Sequence, residues 1–261
     1  MWDAQQYERF QDNRSRPFFD LVGRIGDDNP RVVVDLGCGT GKLTATLCDR
    51  FPAARVIGID NSQEMLEGAP AGRDRLSFEL GDAASYRPSP EVDVVVSNAM
   101  IQWLPDSTGF LARLGADLAA THRPDRAAWI AVQAPAQTGT SQSRLLLDSL
   151  RSSPRYADVI GDLGHVESRP VLDPPAYVDL LSPLGWRVDA WETTYAQVLP
   201  GEDAVLEWMK GTTLRPLLGR LGEKAPEFLA EYGALLREAF PAAPYGTIFP
   251  FRRVFVVAQY R

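Results

Sequence analysis

Cysteine and histidine are scarce: Cys38, Cys48, His122 and His165 are the full set in 261 residues. Two thiols with no paired Cys/His spacing argue against a disulfide framework and a zinc site, so no metal is expected. Cys38 reads as a small residue fitting its loop rather than a nucleophile. No run of about 18 apolar residues exists, which argues against a membrane-spanning helix. The amino end, Met1-Trp2-Asp3-Ala4-Gln5-Gln6-Tyr7, lacks the basic and apolar regions of a signal peptide, so the cytoplasm is the expected location. Basic charge is also in deficit: 27 Lys and Arg against 34 Asp and Glu leave a net charge of -7. Neutralising a nucleic-acid backbone needs a basic surface, so neither nucleic acid nor membrane is expected as a partner. Repeats, low-complexity tracts and long charge blocks are missing too. Only Pro-rich joints such as Arg87-Pro88-Ser89-Pro90 and Asp173-Pro174-Pro175 punctuate the chain.

A hydrophobic fraction of 45% is ample for a core, and its distribution alternates helix with strand. Helices are expected over residues 7–25, 42–51, 65–69 and 110–120. Strands are expected over 32–36, 55–59, 76–80, 92–97 and 129–133. Residues 187–194 and 254–260 are expected as two further strands. This is an α/β, doubly wound, mostly parallel sheet of seven strands, Rossmann-like, in one domain spanning 1–261. Within it, 28–133 forms a cofactor-binding core. Two long segments, 134–185 and 199–249, hold more residues than simple connections need and are expected to cover the substrate.

The most informative stretch runs from Arg31 to Asp60. Val32, Val33 and Val34 suit a strand buried on both faces, and Asp35-Leu36-Gly37-Cys38-Gly39-Thr40-Gly41 then turns sharply into a helix. The second strand ends at Asp60, whose carboxylate can accept two hydrogen bonds from ribose hydroxyls. A dinucleotide loop needs glycine at its first, third and sixth positions; Gly37 and Gly39 fit, but the sixth is Lys42. Asp35 leading the loop would repel a pyrophosphate and suits a cationic ligand instead. S-adenosylmethionine, with its sulfonium and ammonium, fits that field. Taken singly, the pieces have plainer readings: Asp60 as a helix cap with Asn61 and Ser62, Asp82 as a turn residue after Gly81.

Taken together, the motif at 35–41, Asp60, Gly81-Asp82-Ala83 and Ser97-Asn98-Ala99 resemble, in order and spacing, the landmarks of class I S-adenosylmethionine-dependent methyltransferases. The resemblance implies S-adenosyl-L-methionine as cofactor, held by Asp35, Gly37, Gly39, Gly41, Asp60, Asn61, Asp82, Ala83, Asn98 and Trp103. Trp103 stands open between walling a ligand and filling the core.

Arginines recur outside the core, in Arg14-Ser15-Arg16-Pro17, Leu214-Arg215-Pro216 and Phe249-Pro250-Phe251-Arg252-Arg253. Guanidinium groups grip carboxylates bidentately, so such a set suits a polycarboxylate substrate. Tyr7, Tyr195 and Tyr245 are candidate donors, and Gln102 follows Asn98 at a strand's carboxyl end. These segments, with Trp2-Asp3, residues 98–105 and Trp191-Glu192-Thr193-Thr194-Tyr195, resemble the trans-aconitate 2-methyltransferases over nearly the whole chain, least so between Gln137 and Arg169. Those enzymes make a monomethyl ester and S-adenosylhomocysteine. The resemblance implies substrate contacts from Tyr7, Arg14, Arg16, Gln102, Tyr195, Arg215, Arg252 and Arg253. A carboxylate nucleophile is already ionised at neutral pH, so no general base and no catalytic residue beyond alignment is expected. Methyl transfer to another small acid or phenol, and a non-catalytic cofactor-binding module, remain open; a dehydrogenase is disfavoured by Lys42.

Overall fold

The structure, a computed structural model, describes residues 11–70, 74–136, 141–161, 171–211 and 213–261, with side chains except those of residues 11–14 and 215. Its strands are β1 (Val32–Leu36), β2 (Arg55–Asp60), β3 (Leu76–Leu80), β4 (Val92–Asn98), β5 (Ala128–Pro135), β6 (Arg187–Leu199), β7 (Ala242–Ala243) and β8 (Gly246–Tyr260). They join in one sheet of order β3-β2-β1-β4-β5-β8-β6, with β7 paired antiparallel to β8 off that path. β1 to β5 run parallel, in register Leu36↔Ile59, Asp60↔Leu80 and Asn98↔Gln133. This is the expected doubly wound fold, with a short eighth strand added.

Strand order reverses between β1 and β4. After β1 the chain steps outward to β2 and β3, then returns to β4 on the other side of β1. In open α/β sheets ligands settle beyond the carboxyl ends of the strands at that reversal. Every residue of β1 is buried, as its β-branched run requires between two helical layers.

The chain divides into two compact units. A core unit comprises Ser15–Ala134, Val171–Thr193 and Val254–Arg261. It holds β1 to β5 and the helices Lys42–Arg50, Ser107–Thr121 and Pro174–Leu181. The other unit takes the described residues of 1–14, 135–170 and 194–253. It builds a core of its own from Leu147, Leu199, Trp208, Phe228, Phe249 and Phe251 and their neighbours. In it Ser141 caps the helix Gln142–Arg151, accepting from the Arg144 amide at 3.3 Å. Tyr232 Oη on the helix Ala225–Ala239 donates to the Ser143 carbonyl at 2.9 Å.

Two expected boundaries need correction. β8 begins at Gly246 rather than residue 254, and β6 continues to Leu199 rather than stopping at 194. Pro250, which carries no N–H, hides the strand pattern at 246–253 from a sequence reading. The alternation of buried Thr247, Phe249, Phe251 and Arg253 with less buried neighbours shows it. Of the leading helix expected at 7–25, Gln11–Val22 is helical, and residues 7–10 lie outside the described residues.

Candidate active site

Beyond β1 the chain folds back over β2: the Gly37 and Cys38 amides both donate to the Ile59 carbonyl, at 2.8 and 3.1 Å. Gly41 then begins the helix Lys42–Arg50 at φ 68°. A Cβ there would stand 2.3 Å from the Phe78 ring, so only glycine fits. Gly39, also at positive φ (56°), has no described residue within 4 Å of where a Cβ would lie, which leaves room beside its backbone. Its amide donates to Asp60 Oδ2 at 2.8 Å, and Asp60 Oδ1 accepts from the Ser62 amide at 2.9 Å. The half-buried carboxylate at the end of β2 is thus fixed in orientation by the glycine loop. Ser62, not Asp60, caps the next helix, Gln63–Glu67, and Asn61 is exposed beside it. Beyond β3, Asp82 caps a short turn of 3-10 helix by accepting from the Ala84 amide at 2.9 Å, and this seats Ala83 in the interior.

β4 contributes the other wall. Ala99 follows Asn98 with φ 56°, a left-handed conformation that costs an L-residue of this kind about 1–2 kcal/mol. Its amide is held by the Gln133 carbonyl at 2.8 Å. Met100 packs where a Cβ on Gly37 would sit. Gln102 is 6% exposed; its Nε2 donates to the Ala99 carbonyl at 2.6 Å. That leaves Gln102 Oε1 and Asn98 Oδ1 as buried acceptors with no hydrogen-bond partner among the described residues. Trp103 is 48% exposed, which rules out a core role for it.

Asp35 lies at the end of β1, 3% exposed, and accepts from Thr44 Oγ1 at 2.6 Å. Burial pushes its carboxyl up to about 6; the Thr44 hydrogen bond opposes the rise and the Asp60 charge adds to it. The Asp35 carboxyl is thus enclosed by the protein behind the glycine loop. Burial, with the charges of Asp35 and Asp60, raises the Cys38 thiol well above its usual range. A thiol so held stays protonated and is no nucleophile.

In the second unit the strands separate the candidate arginines. Inward positions on β6 are Tyr195, Gln197 and Leu199, and on β8 Thr247, Phe249, Phe251 and Arg253. Arg253 is 4% exposed, its guanidinium 4.9 Å from the centre of the Phe251 ring. Arg252 points to the opposite face, as strand alternation demands. Its Nε donates to the Ala136 carbonyl at 3.0 Å. It also lines a cavity of about 200 Å³ with Ser141, Gln142, Ser143, Thr194 and Pro250. The two arginines do not converge on one face. Arg16, in the core unit, is exposed and reaches Asp20 at 3.8 Å; Tyr245 is 66% exposed. Arg215 opens the helix Arg215–Leu221 and Arg14 lies within Gln11–Val22, while Tyr7 and His165 fall outside the described residues.

A family model described as a methyltransferase domain matches residues 33–119, the stretch that holds the glycine loop, Asp60 and Asn98. Over 99% of the chain it is 45% identical to a trans-aconitate 2-methyltransferase of Rhodococcus jostii, with 99% of that protein covered. It is 44% identical to one of Streptomyces avermitilis, 99% of the chain against 96% of the relative. The chain belongs to the trans-aconitate 2-methyltransferase family. Likeness to solved structures carries the fold. The YcgJ protein of Bacillus subtilis superposes with a TM-score of 0.56 at 14% identity, covering 95% of this chain and 99% of that one. A phosphoethanolamine N-methyltransferase of Haemonchus contortus, solved with S-adenosylhomocysteine, gives 0.52 at 16% identity, over 94% of this chain and 53% of that one.

In this member of the trans-aconitate 2-methyltransferase family, His122 lies far from the glycine loop. It follows the helix Ser107–Thr121, which runs 15 residues back from the β4 end toward the start of β5. That is about 22 Å at 1.5 Å per residue. Its ring packs edge-on against Tyr260, with centroids 5.2 Å apart. His122→Ala is expected to leave turnover within about 3-fold of the wild type; a fall of ~100-fold or more, the effect of losing a general base, would refute that. The sequence reading missed Thr44, Phe78 and the left-handed Ala99. Each acts through a neighbour distant in the chain, and no motif announces it.

Proposed function

We propose that this protein transfers the methyl group of S-adenosylmethionine to a carboxylate of trans-aconitate, giving a monomethyl ester and S-adenosylhomocysteine. What carries the reading is identity above 40% over nearly the full length to proteins of that name. The residues at the strand ends fit the cofactor. Asp60 suits the ribose hydroxyls. Gly39 leaves room for close approach, Asp82 and Ala83 are assigned to the adenine by the family resemblance, and Asn61 to the cofactor beside Asp60. The two orphan acceptors, Asn98 Oδ1 and Gln102 Oε1, match an ammonium donor. Trp103 offers an exposed ring as a wall. Gly37 and Gly41 shape the loop, and Asp35 supplies a negative field from behind it.

When bound, S-adenosylmethionine supplies an electrophilic methyl on a sulfonium. That methyl would pass to a carboxylate oxygen, with the neutral thioether sulfur of S-adenosylhomocysteine taking the electron pair of the broken carbon–sulfur bond. No proton moves, so the protein's tasks are to align the acid and to exclude water from the nucleophile. We assign the remaining carboxylates to Arg253 and Tyr195 on the inward face of β6 and β8, with Arg14, Arg16, Arg215 and Tyr7 as further candidates. Arg252 serves its own cavity on the other face. We place the reaction in the cytoplasm, in keeping with two free thiols, Cys38 and Cys48. No described helix is long and apolar enough to cross a membrane.

The deciding assay is S-adenosylhomocysteine release with trans-aconitate, set against cis-aconitate, citrate, isocitrate and phenols. Clear preference for trans-aconitate is expected; turnover with another compound alone would overturn the substrate assignment.

Asp35 adds a pH signature. The folded chain holds its proton up to about pH 6, whereas an ordinary aspartate releases it near 3.8. Its contribution to stability is therefore present at low pH and is lost as the pH rises through that window. A cationic ligand favours the ionised form, so binding S-adenosylmethionine near pH 5 must expel a proton. Affinity is expected to rise several-fold between pH 5 and 7 and then level off, more steeply than for S-adenosylhomocysteine, which lacks the sulfonium charge. Equal pH slopes for the two in calorimetric titrations would contradict this.

A further inference from the structure

Gln197 is 4% exposed, and among the described residues neither its Oε1 nor its Nε2 has a hydrogen-bond partner. It lies on β6, between Tyr195 and Leu199 on the buried face. The surroundings are apolar. Leu199, Phe249 and Phe251 belong to the second unit's core, and the Trp208 ring stands 5.5 Å from Phe251 and 6.2 Å from Phe249. A primary amide with both ends unsatisfied in such a setting is costly to keep, and an aliphatic side chain of similar volume would cost less. Buried orphans of this kind mark a missing partner.

Geometry on the strands says what that partner is. A Cβ on Gly246 would stand 2.8 Å from the Leu199 carbonyl, so the start of β8 lies beside the end of β6. The Arg253 guanidinium is folded over Phe251, back along β8 toward that same end. Gln197, two residues before Leu199, thus shares a face with a buried positive charge directed its way. A neutral donor on the same face as a guanidinium suits a carboxylate, which the positive charge attracts and to which the amide donates. The orphan Oε1 would repel a second carboxylate oxygen, so the amide admits one carboxylate in one orientation.

We propose that Gln197 is a specificity-determining residue whose Nε2 donates to a carboxylate of the substrate held on the same face as Arg253. The inference rests on the polycarboxylate reading above and adds a residue to it.

Steady-state kinetics with trans-aconitate at saturating S-adenosylmethionine test it, using Gln197→Leu and Gln197→Glu. Gln197→Leu is expected to raise KM for trans-aconitate about 10- to 100-fold, the size of one hydrogen bond to a charged group. Its kcat should stay within about 3-fold, its affinity for S-adenosylmethionine should not change, and its melting temperature should not fall, since leucine suits that face. Gln197→Glu should raise KM further, through like charge, and recover as the pH is lowered. KM within about 3-fold of the wild type for both variants would mean that the amide serves packing or a trapped water, and would overturn the inference alone. A wild-type protein that turns over no polycarboxylate would overturn the substrate reading first, and this inference with it. Should Gln197→Leu melt lower, Gln197→Asn, which withdraws the amide by one methylene, must still raise KM.

Discussion

Asp60→Ala is expected to raise the dissociation constant for S-adenosylmethionine at least ~100-fold, while KM for the acid substrate at saturating cofactor changes little. Two hydrogen bonds from ribose hydroxyls to an ionised acceptor are lost together, each worth about 1.5–3 kcal/mol. The carboxylate is also what holds the glycine loop, through the Gly39 amide at 2.8 Å. Asp60→Asn separates the two effects: its Oδ1 can still accept from Gly39 while the charge is gone, so an intermediate loss is expected. Isothermal titration of each variant with S-adenosylmethionine decides the matter, and unchanged affinity in Asp60→Ala would remove Asp60 from the cofactor site.

Arg253 should show the opposite pattern. Arg253→Lys keeps the positive charge but replaces a planar fork with a point donor. KM for trans-aconitate is expected to climb at least 10-fold, and about 100-fold or more in Arg253→Ala, where a buried cavity is added to the lost charge. Affinity for S-adenosylmethionine should be near the wild-type value in both. Arg252→Ala, altering the other face, is expected to leave KM within a few-fold. A larger effect at Arg252 than at Arg253 would mean that the substrate is gripped on the Arg252 side, in the cavity with Ser141 and Ser143.

Much of the core unit is legible in the sequence because its signals are local. A run of three valines can hardly be anything but a buried strand, and each strand is followed within a few residues by the glycine or acid that marks its carboxyl end. Asp35 and Asp60 close their strands, and Gly37, Gly39 and Gly41 lie in the loop that follows β1, as the spacing indicates. The second unit is harder to read. Pro250 disguises the first half of β8, and nothing local marks the helices of 204–239 as a shared core with β6.

Sequence by itself determined the doubly wound alternation, the glycine loop and the acids at the strand ends, and with them the family resemblance, because strand periodicity, glycine turns and terminal acids act over a few residues. Tertiary structure alone decided which side chains share a surface. It set Arg252 and Arg253 on opposite faces, buried Asp35 so that burial raises its carboxyl, exposed Trp103, and left Gln197 unpartnered among aromatic rings. Each of those outcomes depends on what distant segments bring alongside, and burial, unlike periodicity, is not a property of neighbours in the chain.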